Sequence, residues 1–131
     1  PMTILVAFVP RPEGEAAFEK GLEIALQTKE QVVVVNAGPG GQKEDPALAN
    51  EWDIERLEKR AAEAGVKLEV KQFVRGNSAI TEIEMLVSER QVSLVVIGLR
   101  VRSRVGKLLL GSVAQDILLS VPCPVLAVKA V

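Results

Sequence analysis

Three short runs of almost unbroken aliphatic residues constrain this chain most: TILVAFV at 3–9, QVVVVNA at 31–37 and VSLVVI at 92–97. A strand that is apolar on both faces must be covered on both, and that is the condition of a parallel sheet sandwiched between helices. The intervening segments have the matching period. Residues 13–28 place Ala17, Gly21, Ile24 and Ala25 on one side and charges on the other, and residues 51–64 repeat Ile54, Leu57, Ala61 and Ala64 before Gly65, a residue suited to a left-handed C-cap.

A further run, VKLEVKQFV at 66–74, alternates apolar with charged residues and reads as an edge strand. Asn77-Ser78 can cap a helix with Ile80, Ile83 and Val87 inward, residues 112–120 form another helix, and residues 124–131 a fifth strand. Gly38-Pro39-Gly40-Gly41 and the polar residues 42–50 make a loop. Strands alternating with helices at this spacing give βαβ units, hence an α/β domain, a five-stranded parallel sheet with helices on both faces of the flavodoxin or Rossmann kind. Such a doubly wound sheet reverses direction once, and ligands bind outside the carboxyl ends of the strands at that switch. Val9-Pro10-Arg11 and the segment from Gly98 onward are the two expected edges of the crevice.

At 131 residues the chain forms one domain, 1–131, with a core of Val, Leu, Ala and Ile. A net charge of −1 and 3% aromatic residues leave neither the field nor the stacking platform for coating nucleic acid. Histidine is absent, which removes the commonest general base and every Ser-His or Cys-His arrangement. The lone Cys123, between Pro122 and Pro124, reads as a small buried residue rather than a nucleophile. No basic region followed by an apolar run opens the chain and no apolar stretch reaches membrane-spanning length, so a cytoplasmic protein is expected.

The stretch from Val95 to Val128 bears most on function. A loop with Arg100, Arg102, Arg104 and Lys107 leads into Gly111-Ser112, where a helix begins, and no acidic residue lies between Glu89 and Asp116. A helix start with unpaired N–H groups in a positive local field is a place for phosphate. Ser112 with Gln115 also forms a capping box, enough by itself to start the helix. Gly106-Lys107 is not a P-loop, because Leu108 follows where a magnesium-binding Ser or Thr is needed. Glu13 and Glu15 suit the first turn of their helix, while Asp53, Glu55 and Glu58 alternate with cations as a solvated face. Trp52 is expected as a core anchor, or as part of a lid should the preceding loop fold over the crevice.

The same stretch resembles the universal stress protein family. Gly98, two residues, a third position held by Val101, nine residues and Gly111-Ser112 follow that family's glycine spacing, with Pro122-Cys123-Pro124-Val125 as its turn into the last strand. Gly76 matches the glycine before its third helix. The resemblance implies strand order 3-2-1-4-5, a homodimer, and in one branch ATP in the crevice between strands one and four. Two residues depart from the nucleotide-binding pattern: Val101 replaces its second glycine and Val9 an aspartate facing the nucleoside. Carried over to this chain, the site comprises backbone groups of Val9 and Ala37, Gly98, Arg100, Arg102 and Lys107 for phosphate, and Gly111, Ser112 and Val113 at the helix start. ATP with Mg2+, held by a sensor or regulator that is not an enzyme, is the expected reading; a nucleotide-free dimeric interaction protein is the alternative. The apolar last strand is expected to pair with its copy through Val125, Leu126, Ala127 and Val128.

Overall fold

The first aliphatic run becomes β1 (Thr3–Ala7), whose first four residues are buried. The computed structural model describes residues 2–37, 48–73, 79–102 and 107–130. Within them β1 is followed by α1 (Pro12–Thr28), β2 (Gln31–Ala37), α2 (Glu51–Ala64), β3 (Leu68–Phe73), α3 (Ala79–Glu89), β4 (Val92–Arg102), β5 (Lys107–Leu109), α4 (Ser112–Ser120) and β6 (Val125–Ala130). Residues 38–47, with the Gly38 to Gly41 turn, and Gly76, Asn77, Ser78, Arg104 and Gly106 lie outside the described residues.

Five parallel strands take the order β3-β2-β1-β4-β6, the expected 3-2-1-4-5 with β6 as the fifth. The expectation missed β5, a short strand antiparallel to the far end of β4. It also ended β4 at Ile97, where the strand continues to Arg102. Arg100 to Arg102 are therefore strand and not loop: Arg100, Val101 and Arg102 stand opposite Leu109, Leu108 and Lys107.

The core has two layers, one on each face of the sheet. Ile4, Val6, Phe8, Val34 and Val96 pack under α1 and α2 with Phe18, Leu22 and Leu57. Leu5, Val33, Val35, Val95 and Ile97 pack under α3 and α4 with Ile83, Leu86 and Ile117. Alternate residues of each central strand thus feed opposite layers, as the period of two requires. The rings of Phe8 and Phe18 meet edge to face, 6.4 Å apart at 74°.

Local signals account for the helix ends. Pro12 begins α1 without needing an N–H. A capping box starts α2, where Asn50 Oδ1 accepts from Asp53 N–H at 2.9 Å and Asp53 Oδ2 accepts from Asn50 N–H at 3.0 Å. Asp53 is accordingly buried and not part of the expected solvated face. Gly65 ends α2 in the left-handed conformation, as its place in the sequence predicts. Trp52 is not a core anchor: it is 67% exposed, with the Arg56 guanidinium 5.3 Å from its ring centre.

Candidate functional site

The sheet reverses direction between β1 and β4, so the carboxyl ends of these strands frame the crevice. On one side the start of α1 is seated directly on both strands. A Cβ on Gly14 would lie 1.8 Å from the Val9 carbonyl oxygen, and one on Gly98 would lie 2.1 Å from the Glu13 carbonyl oxygen. Neither position has room for any side chain, because in each case the neighbour is backbone. This places Val9, Glu13 and Gly98 together. The Val9 carbonyl also accepts from the Arg11 N–H at 2.8 Å, closing a tight turn over the end of β1.

A polar cluster fixes the neighbouring wall. Asn36 is fully buried in β2. Its Nδ2 donates to the Phe8 carbonyl at 2.9 Å, and its Oδ1 accepts from the Ala49 N–H at 2.8 Å and from Gln72 Nε2 at 2.9 Å. Gln72 Nε2 also donates to the Ala49 carbonyl at 2.7 Å. One amide thus ties the carboxyl ends of β1, β2 and β3 to the residue before the α2 cap. Ala37 follows Asn36 and is 5% exposed, leaving its backbone as its contribution to the wall. The signal for this cluster was a single polar side chain in an otherwise apolar run, and sequence reasoning passed over it.

Across the crevice the chain leaves β4, returns as β5 and enters α4. Arg100 is exposed on β4, while Arg102 and Lys107 stand opposite each other in the β4–β5 ladder. Gly111, not Ser112, is the N-cap of α4, and no side chain caps the helix. The expected Ser112–Gln115 box does not form, because Ser112 is already inside the first turn and Gln115 Nε2 donates to the Leu110 carbonyl at 3.1 Å. Gly111 and Ser112 are exposed, and a Cβ on Gly111 would meet nothing within 4 Å. Val113 faces the α3/α4 layer. The first turn of α4 therefore opens to solvent with its dipole unopposed, and no acidic residue occupies that turn.

Two acidic side chains flank the α1 start. Glu15 is paired with Arg56 of α2 through both carboxylate oxygens, and this bond raises the Arg56 pKa. Glu13 shares the first turn of α1. Cys123 is half-buried, not fully buried, and packs at the margin of the α3/α4 layer. Burial pushes its thiol pKa up, which keeps it protonated at neutral pH and unlike a nucleophile. A surface groove of about 500 Å³ along α1 near Leu26 and Arg60 shares no lining residue with the crevice. No helix among the described residues is long and apolar enough to cross a membrane.

Comparison with known proteins agrees with this arrangement. The model of the universal stress protein family matches residues 2–129. A universal stress protein of Mycolicibacterium smegmatis is 40% identical over 126 residues, which is 96% of each chain. The structure of a universal stress protein from Archaeoglobus fulgidus superposes with a TM-score of 0.74 at 26% identity, over 98% of this chain and 99% of that one. The structure of the universal stress protein from the same organism in complex with dAMP gives a TM-score of 0.72 at 25% identity, over 98% of both chains. By fold, length and sequence this chain belongs to the universal stress protein family.

Proposed function

We propose that this chain binds an adenine nucleotide in the crevice between β1 and β4 and acts as a homodimeric regulator in the cytoplasm, not as an enzyme. The observation that carries the reading is the crevice itself: Gly98 lies between the seated start of α1 and a hairpin that leads into the open, uncapped start of α4. An anion there meets unpaired helix N–H groups, with Arg100, Arg102 and Lys107 in the adjoining ladder. The relative of the same fold that was solved with dAMP supports an adenine nucleotide as the ligand. Among the described residues no group of three or more His, Cys, Asp or Glu side chains is placed to hold a metal.

The dimer reading rests on β6. One edge of this strand is hydrogen-bonded to β4, and no described strand takes the other. Val125, Leu126 and Val128 are half-buried and Ala127 is exposed, which suits pairing with a second copy. The alternative of a nucleotide-free interaction protein is favoured by one observation, the enrolment of Val101 in the β4–β5 ladder, where the family's nucleotide-binding pattern has glycine.

Calorimetric titration with AMP and with ATP plus Mg2+ tests the reading, beside the Ser112→Ala and Arg102→Ala variants. Binding by the wild type, weakened in both variants, is the expected result. Failure to bind either nucleotide at millimolar concentration would leave the interaction protein as the reading. A monomeric mass at micromolar concentration would refute the β6 pairing as a stable contact.

A further inference from the structure

We infer that the outer face of α1 and α2 is a docking surface for a basic amphipathic helix of a partner protein. None of the residues of this surface lines the crevice, so it goes beyond the nucleotide reading.

Two ion pairs set the helices in register. Glu15 bonds Arg56 and Glu19 bonds Arg60, each across 41 residues, so α1 and α2 run parallel side by side. The groove of about 500 Å³ runs between them, from apolar Ala16, Leu22 and Leu26 of α1 to Arg60 of α2. In the same register Trp52 is level with Arg11, just before α1, and Leu26 with Lys67, just past the end of α2. Exposed Trp52 and the 50% exposed Leu26 therefore mark the two ends of the face, about 22 Å apart along the helix axes. Arg56, itself held by Glu15, lies over the Trp52 ring. An exposed aromatic pinned in this way needs little further ordering to take a partner.

The charges between these ends are not balanced within the chain. The first helix carries four carboxylates and one cation, and the second five and three. Lys20, Arg56 and Arg60 are already paired with Glu23, Glu15 and Glu19. Glu51, Glu55, Glu58 and Glu63 are exposed and have no ion pair among the described residues. At 3.6 residues per turn these four fall within about 60° of one another, on the outer side of α2 and next to Trp52. Folding accounts for Glu51 in the first turn, but Glu55 repels both Glu51 and Glu58 at helical spacing, and Glu63 opposes the dipole of the last turn. Among the described residues no three carboxylates converge to hold a metal. Spread over about 18 Å, the stripe instead matches a row of Lys or Arg side chains, with apolar anchors on Trp52 and Leu26. A helix of about 15 residues has the required length. Nucleic acid and anionic membranes meet like charge on this face.

The chain has one tryptophan, so its emission reports position 52 alone. The test titrates the full chain with a synthetic Leu/Lys amphipathic helix of about 15 residues, beside Leu/Glu and Ser/Lys peptides of the same pattern. The Leu/Lys peptide is expected to move the Trp52 emission to shorter wavelength and to bind at least about tenfold more tightly than either control. Combining Glu55→Lys with Glu58→Lys, both at exposed positions, should weaken it at least about tenfold, and 0.5 M salt should weaken it as well. Leu26→Ala should weaken it about threefold or more by calorimetry. Failure of the Leu/Lys peptide to bind, or binding with the Trp52 emission unmoved, overturns the surface. Equal binding of the Leu/Glu peptide, or undiminished binding in the lysine variant, overturns the charge match. Equal binding of the Ser/Lys peptide reduces the contact to charge alone and overturns the amphipathic helix as occupant. A mass that rises with concentration in the wild type, and does not in the lysine variant, gives the face to a second copy and overturns the partner.

Discussion

On the α1/α2 face the helices are locked to each other and to the sheet: Glu15 pairs with Arg56, Glu19 with Arg60, and Phe18 and Leu22 are each 1% exposed. On the opposite face α4 buries Ile117 alone and leaves Leu118 47% and Leu119 87% exposed. The capped α2 and the uncapped α4 repeat the contrast at their first turns. Half of the molecule is finished as a single chain. The other half, with α4, the hairpin and the edge of β6 that no described strand takes, presents the apolar surface and open backbone that a ligand or second copy would cover. The proposed function falls on the half where folding has left groups exposed.

The largest effect should come from the finished face. Phe18→Ala removes a ring packed on Phe8 and is expected to cost about 3–5 kcal/mol in urea unfolding. Leu119→Ala should change the stability of the dilute chain by less than about 0.5 kcal/mol. If it instead lowers stability by more than about 1 kcal/mol in a concentration-dependent way, the α4 face is covered in solution and the contrast is sharpened into an interface. Next in size is Gly98→Ala. Its Cβ would collide with the Glu13 carbonyl and force α1 off β4, at about 1–3 kcal/mol. A neutral Gly98→Ala would show that α1 is not seated there, and the crevice geometry would fall with it.

How far the sequence disclosed this depends on which force decides each part. Hydrophobic period and length located the five parallel strands, because burial on both faces leaves an aliphatic run few options, while their order followed from the family resemblance. Asn36 was passed over because its role exists only in three dimensions: its partners at Phe8, Ala49 and Gln72 are 13 to 36 residues away. The path after Gly98 was taken for a loop on its arginines, when β-branched Val101 favours the strand that pairs with Lys107–Leu109. Ser112 was taken for the cap on residue type, but glycine one position earlier fills that place. Trp52 was put in the core on size, yet it lies on the outside of α2 beside Arg56.

A cap comparison probes the two first turns directly. Asn50→Ala removes the acceptor for the Asp53 N–H and should cost about 1 kcal/mol. Ser112→Ala should leave the ligand-free chain within about 0.5 kcal/mol of wild type, since no side chain caps α4. Equal costs at the two positions would erase the distinction between a capped structural helix and an open one.

The smallest effect lies at the far edge of the sheet, where Arg90 Nη1 and Nη2 donate to Glu69 at 2.5 and 3.1 Å. This bond holds the Glu69 pKa below the ordinary carboxylate range, with Lys71 adding to it. A folded-state pKa below the unfolded value means that the unfolded chain binds more protons as the pH falls. The stabilisation is therefore complete above the unfolded pKa and disappears as pH drops through the folded one. Glu69→Gln should be less stable than wild type at pH 7, and the gap should close on acidification toward pH 3. The side chains are 41% and 32% exposed, so solvent screens the pair and the gap should shrink further in 1 M salt. A gap that widened on acidification would reverse the sign assigned to Glu69. One that persisted in high salt would mean that Glu69 holds β3 through packing rather than through charge.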